Sequence, residues 1–430
     1  MRKVLHLPVF RRLLAAYALN ELAWSVGTLA LSVLVYRRTG SAYGSTAFFL
    51  CSLVLPALLA PMLVARLDQR PPRRVLPPLY ALEAVLFGVL AWMTSRFSLV
   101  PVLALALADG TVAAAARALA RTATVDVLTP VNLLHEGNAI ANTAFSLCFM
   151  LGPAIGGAVV VAGGTVAALL ANCGLFAAIA LVLATASLPG RRATAVTSGS
   201  RLKAALAHVR GNRPVHTLLS LQAVGLIFFT ISVPVEVVFA QRSLHAGAGG
   251  YGALLSAWGA GAVVGSAIYA RWSRRSARGL IAGAAAALGL GFAVMAAAPT
   301  IEVAVIGSVL GGLSNGLEMV AARTAIQERT DDQWMALVMS LNDSVAQATP
   351  GLGFVLGGTL TALASPRLAL AVAAGGSIAF TVAAWIVLRP SSFPPAPVHA
   401  APAGAERGPG PAAASSGVVE LPASSRETLV

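Results

Sequence analysis

Long apolar segments alternate with short polar connections along almost the whole chain, and this pattern predicts membrane-spanning helices. A bilayer core needs about 20 apolar residues per helix, and a lipid-facing backbone must satisfy its own hydrogen bonds. Twelve such segments are present. Spans 1 to 6 are predicted at 13–36, 45–65, 75–93, 99–116, 137–162 and 165–188, and spans 7 to 12 at 215–240, 250–270, 279–298, 302–322, 335–363 and 368–388.

The same short motifs recur in the same order about 205 residues later, which indicates two copies of one half. The matched pairs are Ala65-Arg66 with Ala270-Arg271, Ala115-Ala116-Arg117 with Ala321-Ala322-Arg323, Gly152 and Gly156-Gly157 with Gly353 and Gly357-Gly358, and Tyr43-Gly44 with Tyr251-Gly252. The predicted fold is therefore an all-α membrane protein with twelve transmembrane helices in two pseudo-symmetric six-helix bundles. Such a protein usually moves a substrate through the interface between its halves.

The predicted domains follow from where the apolar pattern stops. An N-terminal bundle covers 1–188 and a C-terminal bundle covers 214–389. The connector 189–213 contains a short amphipathic helix, because Leu202, Leu206 and Val209 share one helical face. The tail 390–430 is rich in Pro, Ala, Ser and Gly without apolar periodicity, and this composition predicts disorder.

Composition and charge support the membrane assignment. The chain is 57% hydrophobic and only 11% charged, whereas soluble domains carry about 25% charged residues. The net charge of +14 reflects topology rather than nucleic-acid binding, because Lys and Arg concentrate on one side of the spans. We expect a multi-pass protein of the cell inner (cytoplasmic) membrane with both termini in the cytoplasm. The outer loops hold only Arg37, Arg38, Arg96, Arg242 and Arg367.

Four stretches carry the pattern of a known family. The loop 64–76 has one acid among several arginines, Asp109-Gly110 stands where a span 4 signature has Gln-Gly, and 151–157 reads Leu-Gly-Pro-Ala-Ile-Gly-Gly. The segments 10–14 and 33–42 complete the pattern. On these residues the chain resembles the major facilitator superfamily over 8–389. Within it, the chain resembles a bacterial subgroup of drug and siderophore exporters, such as the enterobactin and macrolide efflux proteins.

The resemblance implies a secondary transporter that exports small amphipathic molecules, a drug or a secondary metabolite, in exchange for protons. One departure bears on coupling, because Ala106 stands where the family's span 4 signature has an arginine. A proton-independent facilitator is therefore an alternative. A siderophore- or metabolite-specific exporter, the same machine with a narrower cavity, is another. A non-transporting membrane sensor or scaffold is a remote one.

The loop between spans 2 and 3 is the family's inner gate. By resemblance, Asp68, Arg70, Arg73 and Arg74 latch the inner ends of the two halves while the outer side is open. The pseudo-symmetric loop supplies Arg271, Arg275 and Arg278, but Ser273 stands in place of the acid. The alternative is that these arginines only keep the loops on the inner side.

One face of span 1 is a candidate substrate and proton site. Tyr17, Glu21, Trp24 and Thr28 recur at helical spacing, with Asn20 beside the acid. An ionisable group at this depth costs about 2.5–3.5 kcal/mol, so Glu21 should face a cavity, or else bond to a neighbouring helix. Trp24 offers a surface for a cation.

Two further acids are candidates for coupling or substrate contact. Asp109 in span 4 lies two turns from Arg117, and loss of water at that depth favours its protonated form. Glu318 shares a face of span 10 with Asn315, three residues earlier. Glu83 is expected to pair with the loop arginines, and Glu236 to meet water at the outer end of span 7.

Glycines in spans 5 and 11 predict close helix contacts that allow the halves to rock. Glycine lets a neighbouring helix approach, and Pro153 and Pro350 bend their helices. Tight packing without motion is the alternative reading. The predicted hinge residues are Gly152, Pro153, Gly156, Gly157, Gly353, Gly357 and Gly358.

No pattern in the sequence indicates an enzyme. There is no Gly-x-x-x-x-Gly-Lys-Ser/Thr phosphate loop, and the six His lie in loops or at span ends without the spacing of a metal site. We expect no catalytic residues, cofactor or metal. The expected partners are a small-molecule substrate, protons and the lipid bilayer, with no nucleic acid. The chain is expected to be a monomer, which is the family habit.

Overall fold

The computed structural model of the chain describes residues 2–67, 70–186, 188, 207–272 and 275–389. After a short helix, Arg2–Leu5, the first half contains Pro8–Thr39 (span 1), Ala42–Leu67 (span 2), Pro72–Met93 (span 3), Leu99–Leu128 (span 4) and Leu134–Ala184 (spans 5 and 6). The second half contains Arg213–Ser243 (span 7), Gly247–Trp272 (span 8), Ala277–Ala297 (span 9), Ile301–Gln327 (span 10), Asp332–Ala348 with Pro350–Leu363 (span 11), and Pro366–Val387 (span 12).

The helices are compatible with the predicted twelve spans, and the predicted all-helical fold is confirmed. Ten helices among the described residues are long and apolar enough to cross a membrane. One of them, Leu134–Ala184, is 51 residues long, and Gly164 within it has φ 75° and ψ 178°. Because glycine adopts such a backbone readily, the chain turns there between spans 5 and 6. Span 11 falls outside the ten because it is broken before Pro350 and carries polar residues such as Asp343.

Proline, serine and glycine set the ends of several helices. Pro8 and Pro366 stand in the first turn of spans 1 and 12, where the missing N–H has no helical partner to lose. The Ser365 hydroxyl accepts a hydrogen bond from the Leu368 N–H at 3.1 Å, which caps span 12. Gly40 ends span 1 in the left-handed conformation, with φ 60°. These local signals explain why span 1 begins and ends outside the predicted 13–36.

Prolines interrupt spans 7 and 11 near the middle of the molecule. Pro234 provides no N–H for the carbonyl of Thr230, and the helix is broken between Thr230 and Ser232. Pro350 follows a similar break after Ala348, as the sequence predicts. A π-helical segment, Leu50–Val54, lies in span 2, and segments of this kind are frequent at functional sites.

Gly152 and Gly353 show the pseudo-symmetry of the halves in atomic detail. A Cβ added to Gly152 would lie 2.6 Å from the Cβ of Ser25 in span 1, and one added to Gly353 would meet Thr230 in span 7. Ser25 and Thr230 are 205 positions apart. Each glycine therefore lets its span lie against the first span of its own half.

Gly156 and Gly357 repeat this arrangement one turn further along. A Cβ on Gly156 would lie 3.1 Å from the Cα of Val26, and one on Gly357 would press on the backbone of Ile231. Val26 and Ile231 are again 205 positions apart. Four of the predicted hinge glycines thus pack within one half, where the sequence predicted a contact with the other half.

Gly157 and Gly358 are the glycines that reach across. A Cβ on Gly157 would lie 3.1 Å from the carbonyl oxygen of Ala248 and 3.3 Å from the Cα of Gly252, both in span 8. A Cβ on Gly358 would meet the side chain of Thr46 in span 2. The halves are therefore joined by two pseudo-symmetric contacts, between spans 5 and 8 and between spans 11 and 2.

The two halves are closed against each other at the outer face, which we define as the face opposite the start of span 1. Arg37 Nε donates to Gln241 Oε1 at 3.0 Å, from the outer end of span 1 to that of span 7. The side chains of Ser32 in span 1 and Tyr251 in span 8 are a further hydrogen-bonding pair between the halves. Deeper in the molecule, the rings of Phe49 and Phe354 lie 5.9 Å apart across the same interface.

Some predictions fall on residues outside the described ranges. They are Asp68 in the inner loop, the connector up to residue 206, and the tail 390–430. Residues 207–211, at the end of the predicted amphipathic helix, are helical. Val209 is buried there, and His208 stacks on Trp334 with ring centroids 5.0 Å apart.

Candidate functional site

A central cavity of about 420 Å³ lies between the two halves. Its walls come from spans 1, 2 and 5 of the first half and spans 7, 8 and 11 of the second. This volume is within the usual range for small-molecule sites. The side chains that give the cavity its character are Trp24, Thr28, Phe49, Phe149, Phe229, Ser232, Glu236, Tyr251, Trp258, Gln347 and Phe354.

The central cavity lies on the pseudo-twofold axis that relates the halves. Trp24 and Phe229 are 205 positions apart and both line it, as do Ser25 and Thr230. Pro153 and Phe354, 201 positions apart, form a further pair. A site at this position touches both halves through equivalent helices, so a relative movement of the halves changes its walls on both sides.

Glu236 is the one carboxylate among the described residues that line the central cavity. The sequence placed it in water at the outer end of span 7, and this was wrong, because the residue is only 5% exposed. No Lys or Arg is among the described lining residues. Since a buried carboxylate without a counter-ion is costly, Glu236 favours a cationic group in the cavity or a bound proton.

The aromatic walls of the cavity are held by stacking in the second half. Phe229 and Trp258 stack with ring centroids 5.4 Å apart, and Trp258 stacks on Phe292 at 5.9 Å. Trp24 lies on the wall of the first half. Ring faces attract cations through their negative electrostatic potential, so these walls and Glu236 favour the same type of ligand.

A second cavity, which we call the inner cavity, has a volume of about 550 Å³ and lies nearer the inner face. Tyr17, Asn20 and Glu21 line it. Asn20 Nδ2 lies 3.4 Å from Glu21 Oε1, as donor and acceptor. The predicted face of span 1 is therefore divided, since Trp24 and Thr28 line the central cavity while Tyr17 and Glu21 line the inner one.

Asp109 lies inside the first half rather than on the central cavity. It lines a small space of about 30 Å³ together with Asn20, Trp24 and Arg117. One of its carboxylate oxygens is inaccessible and has no hydrogen-bond partner among the described residues. Arg117 attracts Asp109, Glu21 and Glu83 electrostatically, so a single guanidinium is shared by three acids.

The sequence predicted that Glu83 in span 3 pairs with the loop arginines. The described residues show no such pair. Glu83 is fully buried, and neither of its carboxylate oxygens has a hydrogen-bond partner among the described residues. It lies close enough to Asp109 for the two charges to interact. Two acids thus share one buried region, which the sequence did not indicate because they lie on different spans.

Glu318 lies within the second half, away from the central cavity. A Cβ added to Gly225 in span 7 would lie 3.5 Å from Glu318 Oε1. Asn315 is partly buried one turn earlier. Neither residue is among the described residues that line the central cavity, which receives its acid from span 7.

Comparison with known proteins identifies the fold of this architecture. The family described as Major Facilitator Superfamily matches residues 217–424. The solved nucleoside transporter NupG superposes with a TM-score of 0.73 at 14% sequence identity, covering 89% of this chain and 99% of that chain. The chain has the major facilitator fold. No curated protein matches it by sequence.

Two further solved structures with this likeness are in inward-facing states. A bacterial homologue of the iron transporter ferroportin has a TM-score of 0.69 at 14% identity, covering 88% of this chain and 98% of that chain. A bacterial homologue of the human lysosomal transporter Spinster has a TM-score of 0.65 at 14% identity, covering 88% and 94%. The chain is thus a multi-pass membrane protein with the major facilitator fold and a cavity between its halves.

Among the described residues, the arginines of the two inner loops make no contact with the opposite half of the molecule. Arg278 lies over the Trp385 ring of span 12, 3.8 Å from its centroid, and Arg275 lies over Trp272 at 4.6 Å. Both partners belong to the second half. For Arg70, Arg73, Arg74 and Arg271, no hydrogen bond or ion pair to the other half is present in the described part of the chain.

Proposed function

We propose that the chain exports small amphipathic molecules across the cytoplasmic membrane by alternating access, in exchange for protons. The central cavity carries this proposal, because it lies between two pseudo-symmetric halves and combines an apolar aromatic wall with one buried acid. The proposal includes cytoplasmic termini, as the distribution of arginine indicates, and a monomeric unit.

The chemistry of the cavity favours substrates with one positive charge on an apolar or aromatic frame. Glu236 supplies the counter-charge, and Trp24, Phe229 and Trp258 supply surface for the frame. Burial of the frame contributes about 25 cal/mol per Å² of apolar area. This contribution distinguishes amphipathic cations from small hydrated ones.

The transport cycle needs a movement of the two halves about the cavity. Opening the outer face requires that Arg37 leave Gln241 and that the contacts of Gly157 with span 8 and of Gly358 with span 2 rearrange. Glycine contacts contain little interlocking side chain, so they can rotate with little repacking. Asp68, Arg70, Arg73 and Arg74, with Arg271, Arg275 and Arg278, would then latch the inner side.

Glu21 and Asp109 are the proposed carriers of the coupling proton. Both lie in the first half near Arg117, and Glu21 opens to the inner cavity. A proton that moves down about 100 mV supplies roughly 2.3 kcal/mol, enough for a substrate gradient of some tens-fold. Glu318 and Asn315 remain proposed polar contacts in the second half.

A proton-independent facilitator is the second candidate, and Ala106 favours it. This residue is 1% exposed and stands where the family signature has an arginine. Because alanine has only a methyl group, proton transfer along span 4 lacks the positive charge that the signature arginine would supply.

The proposal is tested with the purified full-length chain in proteoliposomes. A panel of lipophilic cations, neutral macrolides and siderophores is scanned against an imposed pH gradient, with the wild type beside Glu236→Gln and the exposed outer control Glu302→Gln. We expect cation uptake that needs the gradient, with at least a tenfold loss of kcat/KM in Glu236→Gln alone. Cation transport that is equal in all three proteins would overturn the role of Glu236, and transport unaffected by the gradient would establish the facilitator.

A further inference from the structure

The inner cavity gathers positive charge that the transport of cations does not use. Arg117 and Arg121 of span 4 line it from the first half, and Arg323 of span 10 lines it from the second. None of the three forms an ion pair or a side-chain hydrogen bond with another described residue. Glu21 is the one acid among the described lining residues. Asp109 and Glu83 attract Arg117 from behind the cavity wall, so the excess of positive charge on the lining rests chiefly on Arg121 and Arg323.

Two of these arginines are pseudo-symmetric equivalents. Arg117 and Arg323 are 206 positions apart and end the repeated motif Ala-Ala-Arg. The duplicated fold brings both to one volume, across the interface between the halves. A ligand held by both guanidiniums would therefore touch both halves at once.

The donors around the cavity suit an oxyanion. A guanidinium presents parallel N–H groups that match two oxygens of a phosphate or carboxylate. The hydroxyl of Tyr17 and the amides of Asn138 and Asn142 add neutral donors on the first half. Phe10, Leu13 and Leu14 also line the inner cavity, but its three arginines distinguish it from the central cavity, which has no Lys or Arg among its described lining residues.

We propose that the inner cavity binds an oxyanion with a phosphate group, held between Arg117 and Arg323. Closure of the inner side brings these two like charges together, and their repulsion opposes closure. An anion between them replaces repulsion by two attractions and so favours the closed inner side. The group belongs either to a soluble phosphate compound or to the headgroup of an anionic lipid.

The test uses the purified full-length chain in a neutral detergent, titrated with inorganic phosphate at constant ionic strength with sodium chloride as balance. The midpoint of thermal unfolding gives the apparent Kd. We expect saturable stabilisation of the wild type, and a Kd about tenfold weaker in both Arg117→Gln and Arg323→Gln. Arg323 is exposed, so its substitution leaves the fold intact even if Arg117→Gln lowers stability on its own.

The matched control is Arg96→Gln, which removes one exposed arginine from the outer face and should keep the wild-type Kd. A second arm repeats the titration in nanodiscs of neutral lipid and of neutral lipid mixed with phosphatidylglycerol. Loss of phosphate binding only in the anionic nanodiscs assigns the site to a lipid headgroup, and unchanged binding assigns it to a soluble anion. Equal phosphate affinity in Arg96→Gln, Arg117→Gln and Arg323→Gln, or no saturable phosphate effect together with no effect of the anionic lipid, overturns the proposal.

Discussion

Arg37 donates a hydrogen bond to Gln241 across the outer face, with 3.0 Å between Nε and Oε1. The neighbouring Arg38 bonds instead to the Thr94 carbonyl at 2.8 Å, within its own half. The two adjacent arginines at the outer end of span 1 therefore make different contacts. Arg37 closes the interface between the halves, and Arg38 connects span 1 to the end of span 3.

Arg37→Ala should shift the protein toward the outward-open state. A hydrogen bond of this type contributes about 1 kcal/mol, which corresponds to roughly a fivefold change in the ratio of the two states. Distances between spin labels on the outer ends of spans 1 and 7 measure the shift. Arg38→Ala is the control and should leave the distance distribution unchanged. An equal shift in both variants would show that charge, not the Gln241 contact, matters.

Gly157→Val should hold the outer face open. The added side chain would meet Ala248 and Gly252 of span 8, so spans 5 and 8 cannot close as they do here. We expect higher reactivity of a cysteine placed on the outer wall of the central cavity toward an impermeant reagent, and loss of transport. Gly174→Val is the control, because nothing lies within 4 Å of a Cβ at Gly174. Normal transport by Gly157→Val would contradict the proposed rocking contact.

Gly316→Ala should destabilise the second half. A Cβ there would collide with the backbone of Ala262 in span 8, and overpacking of this kind costs about 1–3 kcal/mol. The thermal unfolding midpoint of the purified protein should fall. Gly283→Ala, where no atom lies within 4 Å of the added Cβ, should keep or slightly raise the midpoint, because alanine favours the helix by about 1 kcal/mol. Equal midpoints for both variants would refute the close contact.

Asp109→Asn and Glu21→Gln should each abolish proton movement evoked by substrate in proteoliposomes. Both changes remove a titratable group from the region that Arg117 influences while they keep the side-chain shape. A pH-sensitive dye inside the vesicles gives the measurement, and Glu328→Gln, on an exposed side chain, is the control. Proton movement that persists in both variants would remove these acids from the coupling path.

The sequence by itself determined the helical architecture, because span length, proline and glycine act locally. The turn between spans 5 and 6 falls at Gly164, inside the predicted gap, and the break in span 11 comes just before Pro350. The duplicated motifs also predicted which residues occupy equivalent positions in the two halves. Ser25 and Thr230 meet equivalent glycines, Gly152 and Gly353, in the two halves.

Only the tertiary structure decided which residues share a cavity. Glu236 has no acidic equivalent in the first half, where Leu31 stands 205 positions earlier, so the repeat gave no reason to select it over Glu318. Glu236 is buried because spans from both halves pack around it. The hydrophobic periodicity of a segment does not predict which distant spans pack together. The same reason explains why Glu83 was assigned to the loop arginines and lies instead beside Asp109. Helix formation is set by neighbours in the chain, whereas the surroundings of a side chain are set by packing.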